Sequence, residues 1–131
     1  MIVDKPKTTA TAQSFRDLQV WQRLMELTIA VYRLTQRYPQ QEVYGLTAQL
    51  RRSAASIPRN IAEGHGRMNP REFKRFLLIA RGSNSELQTQ MEISHALGLG
   101  DPRLIGTAQN LSHEVEKMIF ALMGRLRNNS G

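Results

Sequence analysis

The chain has 131 residues, 18 lysines and arginines against 11 acidic side chains, a net charge of +7 and no cysteine. That length fits one domain with one core, and the missing cysteine excludes disulfides, thiolate nucleophiles and cysteine-containing zinc sites, in keeping with a reducing compartment. The charge is concentrated: residues 51–81 hold Arg51, Arg52, Arg59, Arg67, Arg71, Lys74, Arg75 and Arg81 against only Glu63 and Glu72, so this stretch is +6 and the remainder of the chain +1.

Residues 1–13 are polar, lack the apolar stretch of a secretory signal, and are expected to form a flexible tail, as are residues 128–131. Between them the apolar pattern has a helical period almost throughout. The first helix opens at Ser14, with Asp17 at capping-box spacing. Its broad apolar face follows Leu18, Trp21, Met25, Thr28 and Tyr32, flanked by Leu24, Leu27, Val31 and Leu34, and Pro39 ends it after Tyr38. The second starts near Tyr44 and sets Leu46, Leu50, Ala54, Ile57 and Ile61 on one face. Pro58 falls inside that stripe, where it removes the bond to the Ala54 carbonyl, so a kinked but single helix is expected. Gly64 and Gly66 are expected to end it, taking positive φ in the following turn.

Helix three has the strongest start signal, with Asn69 as cap, Pro70 at the first helical position and Glu72 completing the box. Its core face reads Phe73, Phe76, Leu77, Ala80, Asn84, Leu87, Met91 and Ser94, and Gly98 and Gly100 close it. Asp101 and Pro102 start helix four, whose stripe reads Leu104, Ala108, Leu111, Val115, Met118, Leu122 and Leu126. Helices of about 20 residues run roughly 30 Å, and connections this short force antiparallel neighbours. The expected fold is all-α, an antiparallel up-down-up-down four-helix bundle over residues 14–127. No apolar run approaches a membrane span, so a soluble, cytoplasmic protein is expected.

The residues of catalytic and metal chemistry do not assemble into a pattern. His65, His95 and His113 fall on different segments, and Glu92 with His95 makes a single Glu-x-x-His, where a di-metal bundle site needs two plus further inward glutamates. No G-x-S-x-G elbow occurs. Gly64-His65-Gly66-Arg67 lacks the lysine and preceding strand of a phosphate loop, although loop amides with Arg67 could hold an anion. No enzyme activity, cofactor or metal is expected.

The basic segment carries the functional reading. Arg52 and Arg59 are seven apart, opposite the core face of helix two, with Arg51 to one side. Arg71, Lys74 and Arg81 form a stripe on helix three, with Arg75 alongside. If the two helices pack side by side, the stripes can share one side of the bundle and bind phosphates by counterion release; the alternative is a merely solubilising surface. Few aromatics are expected on exposed faces, so base stacking should be weak. Gly82, Leu78 and Ile79 lie off the core stripe of helix three, where a second subunit could approach closely, so an oligomer is expected.

Tyr44-Gly45-Leu46-Thr47, Gln49-Leu50-Arg51-Arg52-Ser53-Ala54, Ser56-Ile57-Pro58-Arg59-Asn60-Ile61-Ala62-Glu63-Gly64 and Gly66-Arg67 together resemble the signature of bacterial four-helix-bundle proteins encoded in intervening sequences of 23S rRNA genes. Phe15-Arg16-Asp17-Leu18 with Trp21, Glu72-Phe73, Arg75-Phe76-Leu77, Ile79-Ala80, Gly82-Ser83, Glu86-Leu87 and Gln90 extend the resemblance over nearly all of residues 15–125. It implies a basic, ring-like homopentamer without enzyme activity. It also implies a distant likeness to accessory proteins of diversity-generating retroelements, which bind nucleic acid and a reverse transcriptase. The chain departs from the pattern at His65, where an aromatic is usual, and at Arg59, where a small residue is usual. Asn60 and Glu63 are expected to make helix-to-loop hydrogen bonds. The sequence therefore favours an oligomeric, non-catalytic bundle that binds RNA or DNA through Arg51, Arg52, Arg59, Arg67, Arg71, Lys74, Arg75 and Arg81. Subunit contacts could instead sequester some of these arginines against Glu63, Glu72 or Glu86, and the alternative function is an adaptor docking an acidic partner protein.

Overall fold

Burial of one apolar stripe per helix dictates the architecture. In the computed structural model, which describes residues 14–129, four helices run in sequence: α1 (Gln19–Thr35), α2 (Leu46–Gly66), α3 (Pro70–Ala96) and α4 (Pro102–Asn129). Each packs on its neighbours in the chain, and α1 closes the ring on α4, while the backbones of the diagonal pairs α1/α3 and α2/α4 stay more than 8 Å apart between Cα atoms. With short connections this is an up-and-down four-helix bundle. Among the described residues there is no strand, and none of the helices is long and apolar enough to cross a membrane. The expected tail over residues 1–13 lies outside the described residues.

The start of the first helix differs from expectation. Ser14 does cap, accepting from the Arg16 amide at 3.2 Å, but what it caps is a short 3-10 turn, Phe15–Asp17. Leu18 then takes an extended conformation, which sends its side chain into the core, and α1 begins only after it. The face that α1 buries is also turned from the expected one. Val20, Leu24, Leu27, Val31 and Leu34 are buried, while Trp21 is half-buried and Met25 and Tyr32 are exposed.

In α2, Leu46, Leu50, Ala54, Ile57 and Ile61 are buried as the stripe requires, and the helix runs unbroken through Pro58. Proline has no N–H to give the carbonyl four residues back. That carbonyl, Ala54, is instead approached at 3.3 Å by the Thr28 hydroxyl of α1, which also lies 2.8 Å from the Leu24 carbonyl. The expected glycine stop is replaced by another device. Neither Gly64 nor Gly66 has positive φ; the residue that does is Met68, at +54°, exposed in the α2–α3 turn. Gly64 is buried inside the helix, where a Cβ would stand 2.6 Å from Phe76 Cβ and 3.1 Å from Phe73 Cδ1. Its role is to let α2 and α3 approach, and the pairing of these two helices is the most extensive in the bundle.

The start of α3 follows its sequence signal, with Asn69 accepting from the amides of Arg71 (2.9 Å) and Glu72 (3.1 Å) ahead of Pro70. Its buried set matches the expected stripe residue for residue. The helix ends in a Schellman arrangement: Gly98 at φ +71°, its amide on the His95 carbonyl, and the Leu99 amide on the Ser94 carbonyl. Asp101 caps α4 through the Arg103 amide at 2.9 Å. On α4, Ala108, Val115, Leu122 and Leu126 of the expected stripe are buried, while Ile105, Ser112 and Ile119 take the core places expected of Leu104, Leu111 and Met118, which flank them. Ser112 occupies the middle because Asn84 meets it there. Ser112 Oγ donates to Asn84 Oδ1 (2.8 Å), and Asn84 Nδ2 donates to the Ser112 carbonyl (3.0 Å).

Candidate nucleic-acid interface

The eight cations of residues 51–81 separate into distinct settings. Arg51 is tied to α1: its Nε donates to Thr35 Oγ1 at 2.8 Å and its guanidinium lies 4.7 Å from the Tyr32 ring centre. Arg52 and Arg59, two turns apart, are exposed and form no ion pair or side-chain hydrogen bond among the described residues.

Arg67 and Arg75 converge on one aromatic ring. Arg67 pairs with Glu63 at 3.0 Å and Arg75 with Glu72 at 3.0 Å, and their guanidinium carbons lie 5.2 Å and 4.6 Å from the centre of the buried Phe76 ring. The hydrogen bond from Arg75 holds the Glu72 carboxyl below the usual carboxylate range. Both acids of the basic segment are therefore engaged, each by a neighbour on its own helix or helix end. Exposed pairs of this kind contribute little to stability.

Arg71 is exposed in the first turn of α3 and unpaired among the described residues. Lys74 and Arg81 turn toward α4, where Arg81 lies 5.1 Å from the Phe120 ring centre. Ser83, two residues on, faces the other way and meets Ser56 of α2 at 2.7 Å. The α3 stripe thus opens on the α3–α4 side, while Arg52 and Arg59 project from the back of α2. The fold sets Arg52 two turns from Arg59 on α2, gathers Arg67 and Arg75 at Phe76, lines Arg71, Lys74 and Arg81 along α3, and ties Arg51 to α1.

Aromatic exposure exceeds the sequence expectation. Phe120 is 60% exposed and Tyr44 95% exposed, and Tyr32 is also open. Phe120 lies two positions from both Met118 and Leu122 of the expected α4 stripe, and its signal in the sequence is a line with Lys117 and Gly124 at helical spacing on the outer face. His65 sets its ring edge against Phe73, centres 5.7 Å apart. Asn60 bonds back within its own helix, to the Ser56 carbonyl (2.8 Å) and hydroxyl (3.2 Å), rather than to a loop. Among the described residues no three His, Cys, Asp or Glu side chains gather where they could hold a metal ion.

Comparison with known proteins agrees with the architecture. The family model described as 23S rRNA-intervening sequence protein matches residues 16–121. No curated protein matches the chain. A crystal structure from Bacteroides thetaiotaomicron VPI-5482, described as a protein of unknown function from the S23 ribosomal protein family, superimposes with a TM-score of 0.71 at 20% identity, covering 79% of this chain and 97% of that one. The chain belongs to the 23S rRNA-intervening sequence protein family.

Proposed function

From this membership and the surface just described, we propose that the chain is a non-catalytic, self-associating bundle that binds nucleic acid through the cations of α2 and α3. The observation that carries the reading is that Arg52, Arg59, Arg71, Lys74 and Arg81 stand without an acidic partner among the described residues, in a segment whose two acids are already engaged. Cations held at a surface without internal partners release counterions from a polyanion. Five such contacts predict that log K falls with log salt at a slope of about −4.5 per engaged subunit on a duplex and about −3.5 on a single strand.

Two apolar patches support self-association. Met25, Ile29 and Tyr32 are exposed along α1; Leu78 and Ile79 are exposed on α3 beside Gly82, over which there is open space. The two helices are diagonal in the bundle, so the patches lie on opposite sides. Contact between unlike patches is heterologous and closes into a ring when the rotation permits, which agrees with the homopentamer that the family resemblance implies. A ring repeats a weak phosphate-binding surface and multiplies its affinity.

The test is a salt series of binding to duplex DNA, single-stranded DNA and RNA, with light scattering for mass. The double variant Arg52→Glu, Arg59→Glu should weaken binding to every polymer and reduce the salt slope by about 2, with helicity unchanged. Absence of binding to all three polymers at low salt would leave an adaptor for an acidic protein as the better reading, and a mass of one chain at micromolar concentration would end the ring.

A further inference from the structure

We propose that Phe120, Arg81 and Lys74 form a site between α3 and α4 in which one base of a single-stranded nucleic acid stacks while its flanking phosphates meet the cations. The inference rests on the nucleic-acid reading above and names its substrate class. Phe120 is the widest-open aromatic on the four helices, 60% exposed. Lys74 and Arg81, two turns apart and on one line of α3, border an opening of about 170 Å³ with Phe120, Met123 and Gly124. Arg81 stands 5.1 Å from the ring centre, within cation–π range.

The ring is kept open by the residue one turn beyond it. A side chain at position 124 would lie four residues from Phe120, on the same helical line, and Gly124 has none; a Cβ there would meet nothing within 4 Å. On its other side the ring borders a shallow opening of about 390 Å³ with Glu116, Lys117 and Ala121. Three cations against one acid leave +2 around an open aromatic face, with positive charge on both sides of it. That arrangement suits a strand that enters past Lys74 and Arg81 and leaves past Lys117. Stacking on an aromatic is tolerant of sequence and changes affinity by about tenfold per base. A duplex, whose bases already stack on one another, offers only its phosphates.

The experiment compares two strands of equal length and charge, an ordinary single-stranded DNA oligonucleotide and one built wholly of abasic residues. The wild-type protein should bind the base-bearing strand about tenfold more tightly. Phe120→Ala should bring that ratio close to one. So should Gly124→Leu, which covers the ring with a strongly helix-forming side chain and leaves circular dichroism unchanged. A wild-type ratio near one, or a preference that survives both substitutions, overturns the stacking site and leaves the phosphate reading in place. Failure of either strand to bind at low salt overturns the parent reading and this one together. A fall in light-scattering mass on Phe120→Ala would assign the ring to a subunit contact and also overturn the site.

Discussion

Gly64→Ala is expected to destabilise the bundle, although a glycine-to-alanine change inside a helix ordinarily stabilises by up to about 1 kcal/mol. The new methyl carbon would stand 2.6 Å from Phe76 Cβ, 3.1 Å from Phe73 Cδ1 and 3.3 Å from Phe76 Cγ. The nearest of these atoms is fixed to the α3 backbone and cannot swing aside. Reaching the 3.4 Å of ordinary contact requires the two helices to part by roughly 0.8 Å, across the most extensive pairing in the fold. Overpacking of this kind costs about 1–3 kcal/mol, and Gly64 lies in the last turn of α2, where the propensity gain is smallest. The net is a loss of about 1–2 kcal/mol, a fall in melting temperature of roughly 4–8 °C. Gly106→Ala in α4 is the control, since a Cβ there meets nothing within 4 Å, and it should gain about 0.5–1 kcal/mol. Urea titrations and thermal melts at one protein concentration read both. A Gly64→Ala protein as stable as wild type, or a Gly106→Ala protein that loses more, would refute a close approach at Gly64.

Thr28→Val removes the hydroxyl that approaches the Ala54 carbonyl and should cost about 1 kcal/mol. In a Pro58→Ala background the restored amide reaches that carbonyl, so the cost should shrink, and a double-mutant cycle by denaturant titration should give a coupling of at least about 0.5 kcal/mol. The Tyr38 hydroxyl is buried beside Ser94, and burial pushes its pKa above the usual 10.0 while Ser94 acts the other way. The unfolded chain therefore loses this proton first as pH rises, so the contribution is intact below pH 10.0 and is lost as pH climbs through the folded value. Denaturation midpoints followed upward from neutral pH should fall in that range, and Tyr38→Phe should flatten the fall.

Where one helix face had a single apolar stripe, sequence was enough: α2 and α3 bury the residues their spacing picks out. Failures came where two stripes one residue apart both fit. On α4 the polar Ser112 weighed against the true stripe, and only its pairing with Asn84 on another helix makes it a core residue. On α1 the extended Leu18 turned the buried face away from Trp21, Met25 and Tyr32. The identity of the cations was legible, their grouping was not. Charge spacing places Arg81 and Lys74 on one line, but which neighbour that line faces depends on the side of α3 that packs on α2.

The string from Ser56 to Gly64, by which the family is recognised, is occupied throughout by the demands of packing. Ile57 and Ile61 are core; Pro58 leaves a carbonyl that Thr28 approaches; Ser56 meets Ser83 and is in turn bonded by Asn60; Glu63 holds Arg67; Gly64 admits Phe76. Only Arg59 in this string projects outward without a partner among the described residues. A motif whose side chains go to the core, to α1 and α3 and to α2 itself specifies the scaffold and leaves recognition to Arg59 and to positions outside it. Exchanging the unpaired cations Arg52, Arg59, Arg71, Lys74 and Arg81 should therefore alter how tightly the bundle binds while the fold stays intact, whereas exchanging the packed residues of the motif should alter stability first.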